Sequence, residues 1–179
     1  MTSSQPLKKT LEKPLVEHFF QRSVGRWRSE RRYYTLPDGK IKEVVSLITI
    51  RFLEQGSTEL VHLAGLHQLS DETILTCGAH VRWESSDTVS GREESTGETL
   101  FGALDDILYR DRGFATSDPV TALFSFSNPD TMQLRTEYKG SVFEEELKLI
   151  GTKYRTRQTI ISRAGEQKMI GQYLEKRLD

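Results

Sequence analysis

An all-β fold, an antiparallel meander closed into a barrel, is predicted by three features of the sequence. About ten segments rich in Val, Ile, Thr, Tyr and Phe, or alternating in polarity, follow one another from Trp27 onward. Short turn-forming clusters separate them, among them Pro37-Asp38-Gly39, Gln55-Gly56-Ser57, Ser127-Asn128-Pro129-Asp130 and Lys139-Gly140. There is no room for the regular crossover helices of a parallel sheet. Closure then removes the two exposed edges that an open sheet of this length would carry. A β-sandwich is the alternative arrangement of the same strands.

The elements follow in chain order. Residues 1–13 are polar and are expected to form a flexible tail, leaving 14–179 as a single domain. A chain of 179 residues can bury about 70% of the surface its extended form exposes, so it needs no metal or disulfide to fold. Pro14 suits a first helical turn, and Val16, Phe19, Phe20 and Val24 recur at spacings near three and four. A short amphipathic helix is therefore expected from Pro14 to about Gly25, capping one end of the barrel with Phe19 and Phe20 as its plug. Strands are expected at 27–36, 41–53, 58–68, 73–84, 98–109, 120–127, 131–139, 142–150, 154–163 and 167–177. A barrel of about eight to ten strands can enclose a small ligand.

Composition narrows the function. Lysine and arginine number 25 against 26 acidic residues, for a net charge of -1, so no whole-molecule field attracts nucleic acid. Cys77 is the sole cysteine, which excludes an intramolecular disulfide. It sits in the strand-like TILTCGAH and reads as a small buried hydrophobe rather than a nucleophile. His18, His62, His67 and His80 lack metal-site spacing, and no P-loop, dinucleotide fingerprint or Gly-x-Ser-x-Gly is present. With no apolar run near the ~18 residues of a membrane span, and no signal-like core at the start, the chain is expected to be soluble and intracellular.

Strand alternation selects the residues that could carry chemistry, because residues two apart share a face. Arg155 and Arg157 stand together, as do Trp27, Ser29 and Arg31, and Val81 and Trp83. Glu145 lies opposite to Glu144 and Glu146. Facing outward, such charges are ordinary solvated groups. Facing inward, two guanidiniums require anionic partners, and ligand carboxylates would match their planar forks. Tyr109, Arg110, Asp111 and Arg112 lead into DRGFATSDPVTALFSF, a constrained loop running into a strand.

Four stretches, FFQRSVGRWRSERRYY, LYRDRGFATSDPVTALF, the YRTR of 154–157 and the terminal IGQYLEKRL, resemble the S/U-type phycobiliprotein lyases along nearly the whole chain. The resemblance implies a ten-stranded antiparallel up-and-down barrel of the lipocalin or fatty-acid-binding type. It also implies binding of phycocyanobilin or a related open-chain tetrapyrrole, and its attachment through a thioether to a cysteine of phycocyanin, allophycocyanin or a related subunit. Glu145, Arg155 and Arg157 are the implied catalytic residues. Arg31, Trp83, Tyr109 and Arg110, with Arg155 and Arg157, are the implied bilin contacts. No metal and no further cofactor are implied, and the expected compartment is the cyanobacterial cytoplasm or a plastid stroma. Lys148 stands where the family carries a tryptophan, which implies weaker bilin stacking and a possible need for a homologous partner subunit. A passive carrier of a lipophilic carboxylate and a phycobiliprotein-binding scaffold are the rival readings.

Overall fold

Ten strands close into one antiparallel barrel in the computed structural model, which describes residues 5–114 and 116–179 and, among side chains, those from Pro14 onward except Glu94. Helix α1 (Gln5–Ser23) comes first, followed by β1 (Gly25–Thr35), β2 (Lys40–Glu54) and a second helix, α2 (Thr58–Leu66). Strands β3 (Cys77–Asp87), β4 (Glu93–Leu104), β5 (Ile107–Arg110), β6 (Val120–Asn128) and β7 (Thr131–Tyr138) continue the ring. It ends with β8 (Ser141–Ile150), β9 (Tyr154–Arg163) and β10 (Glu166–Arg177). Consecutive strands pair throughout, and β1 pairs with β10, so the sheet has no free edge.

The strict two-residue alternation builds the interior. Along β1 the side chains of Trp27 and Ser29 are buried while Arg28 and Glu30 are exposed, and β8 buries Phe143, Glu145 and Leu149 while exposing Glu144, Glu146 and Lys148. Helix α1 closes the end where β1 begins. Val16, Phe19 and Phe20 are buried in the same core as Trp27, Ile48, Phe124 and Met132, and the Phe19 ring meets Phe126 edge-on at 5.7 Å. Arg22 ties the helix to the β6–β7 turn through Asp130, at 2.6 Å. The plug read from Phe19 and Phe20 is therefore in place.

Four expectations need correction. Helix α1 starts at Gln5 and holds Pro14 inside it, so residues 5–13 continue the helix and only 1–4 of the expected tail lie outside the described residues. Proline denies a donor to the preceding turn without forbidding that turn. Val24, counted as part of the apolar stripe, lies past the helix end and is exposed.

The segment 58–68 is helical rather than extended. Ser57 caps it, its hydroxyl accepting from the Leu60 N–H, and Leu60, Leu63 and Ala64 recur at helical spacing to bury one face. That face covers Leu53 and Leu75 outside the barrel wall, forming a second core. The stretch 98–109 is two strands, reversed at Leu104-Asp105-Asp106-Ile107 with Asp105 at φ 54°. Aspartate tolerates this left-handed conformation, so a turn forms without glycine or asparagine. One expected strand was thus lost and one gained, and the total of ten stands.

Candidate functional site

Two adjoining chambers occupy the barrel. The inner one, of about 210 Å³, is walled by Phe19 and Phe20 at the α1 end, by apolar strand residues such as Ile48, Val81 and Leu134, and by a set of arginines. The outer one, of about 640 Å³, opens at the opposite end among Tyr33, Ser141, Phe143, Arg163 and Met169. Arg31, Arg157 and Phe114 line both.

Register assembles the charges. Arg31 of β1, Tyr173 of β10, Arg157 of β9 and Leu147 of β8 form one inward row across four strands, and Ser29, Glu175, Arg155 and Leu149 form the next. In the deeper row the Arg155 Nε donates to Glu175 Oε1 at 2.7 Å, with both side chains almost wholly buried. In the upper row the Arg157 Nε and Nη2 both donate to Glu145 Oε2, at 2.9 and 2.5 Å. Arg31 and Arg157 lie over the Tyr173 ring, at 5.2 and 5.5 Å from its centroid. The Tyr173 ring itself leans over Gly171, where a Cβ would come within 2.5 Å of its hydroxyl.

These neighbours set the ionisation states. Burial pushes the Glu175 carboxyl up, but the guanidiniums of Arg155, Arg157 and Arg31 together outweigh it and hold it below the usual carboxylate value. Burial likewise disfavours charge on Arg157, and the facing Glu145 more than restores it. Tyr173 is pushed up to about 12, by burial first and by Tyr33 beside it. It stays a neutral phenol at physiological pH.

Arg110 differs from the other three buried or half-buried arginines of the site. The residue is 8% exposed, and its guanidinium lies over Phe101 and Phe114, 4.7 and 4.8 Å from their centroids. Its Nε has no hydrogen-bond partner among the described residues, and burial lowers its pKa while the more distant Glu145 opposes this. Among the described residues Arg31 also lacks a carboxylate within ion-pair distance, and its Nε donates to the Ser29 hydroxyl at 3.2 Å. Four buried or half-buried guanidiniums among the described residues thus face two buried carboxylates, an excess of two positive charges before the exposed Arg112, which also lines the chamber, is counted.

Six of the residues singled out from the sequence, Arg31, Trp83, Arg110, Glu145, Arg155 and Arg157, line the inner chamber. Trp83 lies flat over Gly97, where a Cβ would sit 2.6 Å from its ring, and Arg112 covers it at 5.7 Å. Tyr109 does not join them. It neighbours Arg110 on a strand, so it points outward, where it packs against the α2 core and meets His67 edge-on at 4.9 Å. Lys148 also faces outward and is exposed, so Leu147 rather than Lys148 forms the wall at that level and no stacking surface is lost to it. Arg155 and Arg157, expected to wait for ligand carboxylates, already have protein partners in Glu175 and Glu145.

Sequence reasoning missed Glu175, Tyr173 and Phe114. For Glu175 a signal existed: in QYLEKR the inward face holds Tyr173 and Glu175 while Leu174 faces solvent, a polarity inverted for an ordinary barrel strand.

Comparison with known proteins places these features in a family. The model of the CpeS-like protein family matches residues 15–178. The chain is 65% identical over 178 residues to "Putative phycocyanobilin lyase CpcS 2" of Nostoc sp. strain PCC 7120, covering 99% of both chains. It is 30% identical over 160 residues to the chromophore lyase CpcS/CpeS 2 of Paulinella chromatophora, covering 85% of this chain and 80% of that one. The structure of the S-type phycobiliprotein lyase CpeS from Guillardia theta superposes with a TM-score of 0.78 at 22% identity over 99% of each chain, showing the same barrel. The chain belongs to the CpcS/CpeS/CpcU-like family of phycobiliprotein lyases.

Proposed function

We propose that the chain binds phycocyanobilin or a closely related bilin and attaches it through a thioether to a cysteine of a phycobiliprotein subunit. One observation carries the reading: a largely apolar and aromatic chamber holds two guanidiniums, Arg31 and Arg110, with no carboxylate at ion-pair distance among the described residues. A linear tetrapyrrole brings two propionates, and a buried excess of two positive charges is what such a ligand would neutralise. Arg31 and Arg110 therefore take the clamp role, and Arg155 and Arg157 become positioning residues held by their own glutamates.

Glu145 has a second task. Arg157 engages its Oε2, leaving Oε1 to accept from pyrrole N–H groups and to stabilise a protonated, cationic tetrapyrrole. Protonation draws electrons from the ethylidene. The acceptor thiol then forms its S–C bond at the ethylidene carbon, the π pair moves into the ring, and the proton released by the thiol ends on the ring carbon. The chain supplies geometry and a dry, charged wall for this addition. Trp83 contributes a flat aromatic surface.

The attacking thiol comes from the acceptor. Cys77 is 1% exposed within the core at the α1 end, away from the open mouth. A phycocyanin, allophycocyanin or related subunit is the proposed partner, meeting the mouth of the outer chamber, with a second lyase subunit as an additional partner. The proposed compartment is that of the phycobiliproteins, cyanobacterial cytoplasm or plastid stroma.

Co-expression with a phycocyanobilin source and candidate acceptor subunits, with and without a homologous lyase subunit, tests this reading. Pigment that stays on an acceptor band in a denaturing gel is the expected result. A colour change on binding with no covalent pigment in any combination would leave a carrier and remove the lyase assignment.

A further inference from the structure

We propose that the Phe114 side chain is a placeholder: its ring fills the slot that one ring of the ligand takes on binding. This rests on the reading of the chambers as a bilin site and adds a residue that decides how the ligand enters.

The first argument is volume. The inner chamber, of about 210 Å³, is smaller than the ~300–1,000 Å³ of pockets that enclose drug-sized ligands, whereas the outer chamber, of about 640 Å³, falls inside that range. Arg31 and Arg110 both line the inner chamber, so a tetrapyrrole with its carboxylates on them is too large for that volume and must extend into the outer chamber as well. Whatever divides them has to yield.

Three residues form the shared wall, Arg31, Arg157 and Phe114, and two of them are fixed. Arg157 is held by two hydrogen bonds to Glu145, and Arg31 by Ser29 and the face of Tyr173. Phe114 is 38% exposed and lies outside the strands. Its ring is held by stacking on Phe143, at 4.9 Å and 10° between planes, and by the Arg110 guanidinium at 4.8 Å on another side.

The second argument is chemical likeness. Phe101, Arg110, Phe114, Phe143 and Tyr138 form a column of flat groups spaced 4.7 to 5.0 Å apart, running from the inner chamber to the mouth. A pyrrole ring is flat and conjugated, so it can replace the phenyl ring between guanidinium and Phe143 while keeping both stacking contacts. The neighbouring backbone is anchored: the Gly113 N–H donates to Thr116 O at 2.9 Å, and Gly113 is packed so that a Cβ would lie 3.1 Å from the Tyr138 ring. The movement required is thus that of one side chain.

Stopped-flow absorbance with phycocyanobilin on the native chain, Phe114→Ala and Phe114→Trp tests the placeholder. Removing the competing ring should raise the association rate at least fivefold and tighten binding, and the larger indole should slow association. If Phe114 were instead a fixed contact, Phe114→Ala would bind more weakly at an unchanged association rate, and that result overturns the proposal. Equal rates in all three proteins also overturn it while leaving the bilin site standing. No colour change with any of them removes the bilin site and the placeholder together.

Discussion

Glu175 shows how much of this interior depends on single charges. It lies at 0% exposure with one oxygen on the Arg155 Nε, while its other oxygen, Oε2, has no hydrogen-bond partner among the described residues. Removing one member of a buried pair leaves the other uncompensated, at a cost of about 3–5 kcal/mol. Glu175→Gln keeps the shape and deletes the charge, so its unfolding free energy measured in urea should fall by about 3–5 kcal/mol, although Glu175 does not border the cavity. The pH dependence follows from the same pair. Because the folded carboxyl titrates below the ordinary glutamate value of about 4.3, the pair contributes its full stability above that pH and loses it as pH falls toward the folded pKa. Urea midpoints measured at a series of acidic pH values should therefore drop more steeply for the native chain than for Glu175→Gln. Parallel profiles would show that the two states of Glu175 do not differ in folding energy. By the same reasoning Arg155→Ala combined with Arg157→Ala strands two buried glutamates and destabilises the barrel as well as altering the site.

At the scale of elements, the end of the chain locks the beginning. The Arg177 guanidinium of β10 donates to the last carbonyls of α1, Arg22 O at 2.6 Å and Val24 O just beyond, and through Nε to Thr152 O at 2.8 Å. It also lies 4.3 Å from the centroid of Trp27, whose indole N–H donates to Ser23 O at 2.9 Å. A cation on unsatisfied helix carbonyls is a favourable cap. Charge-assisted bonds of this kind contribute about 1.5–3 kcal/mol each, and a half-buried guanidinium realises only part of that. Arg177→Ala should lower stability by about 2 kcal/mol and shift Trp27 fluorescence to the red as water reaches the plug; an unchanged emission maximum would show that α1 holds without the cap. Most of this element pattern was legible beforehand. The alternation of β1, β8 and β9 placed Trp27, Arg31, Glu145, Arg155 and Arg157 on their faces, because period-two patterning is a local property. Helix α2 was missed because Leu60, Val61, Leu63 and Leu66 fit an apolar strand as readily as a helix when the Ser57 cap is overlooked. Tyr109 was misplaced because a neighbour pair on a strand cannot share a cavity. The pairing of Arg155 with Glu175, 20 positions away, depends on the register between β9 and β10, which no local pattern states.

For the whole molecule the net charge of -1 conceals an interior of the opposite sign. Exposed ion pairs, such as Arg32 with Glu43 and Arg51 with Glu59, sit in high dielectric and contribute little. The uncompensated charge lies inside, on half-buried Arg31 and buried Arg110, where water screens it less than at the surface. Affinity for a dianionic chromophore should therefore come from the cavity rather than from the surface field, and should change little with ionic strength. The dimethyl ester of phycocyanobilin keeps the conjugated skeleton and removes both carboxylates. With each charge-assisted contact contributing about 1.5–3 kcal/mol, loss of two corresponds to at least about a hundredfold weaker binding. Absorbance titrations of acid and ester against the native chain and the Arg31→Ala and Arg110→Ala variants separate the contributions. Each substitution should bring the free acid roughly tenfold or more toward the ester and leave the ester itself nearly unaffected. Equal affinity of acid and ester for the native chain would mean that the interior charges recognise something other than propionates.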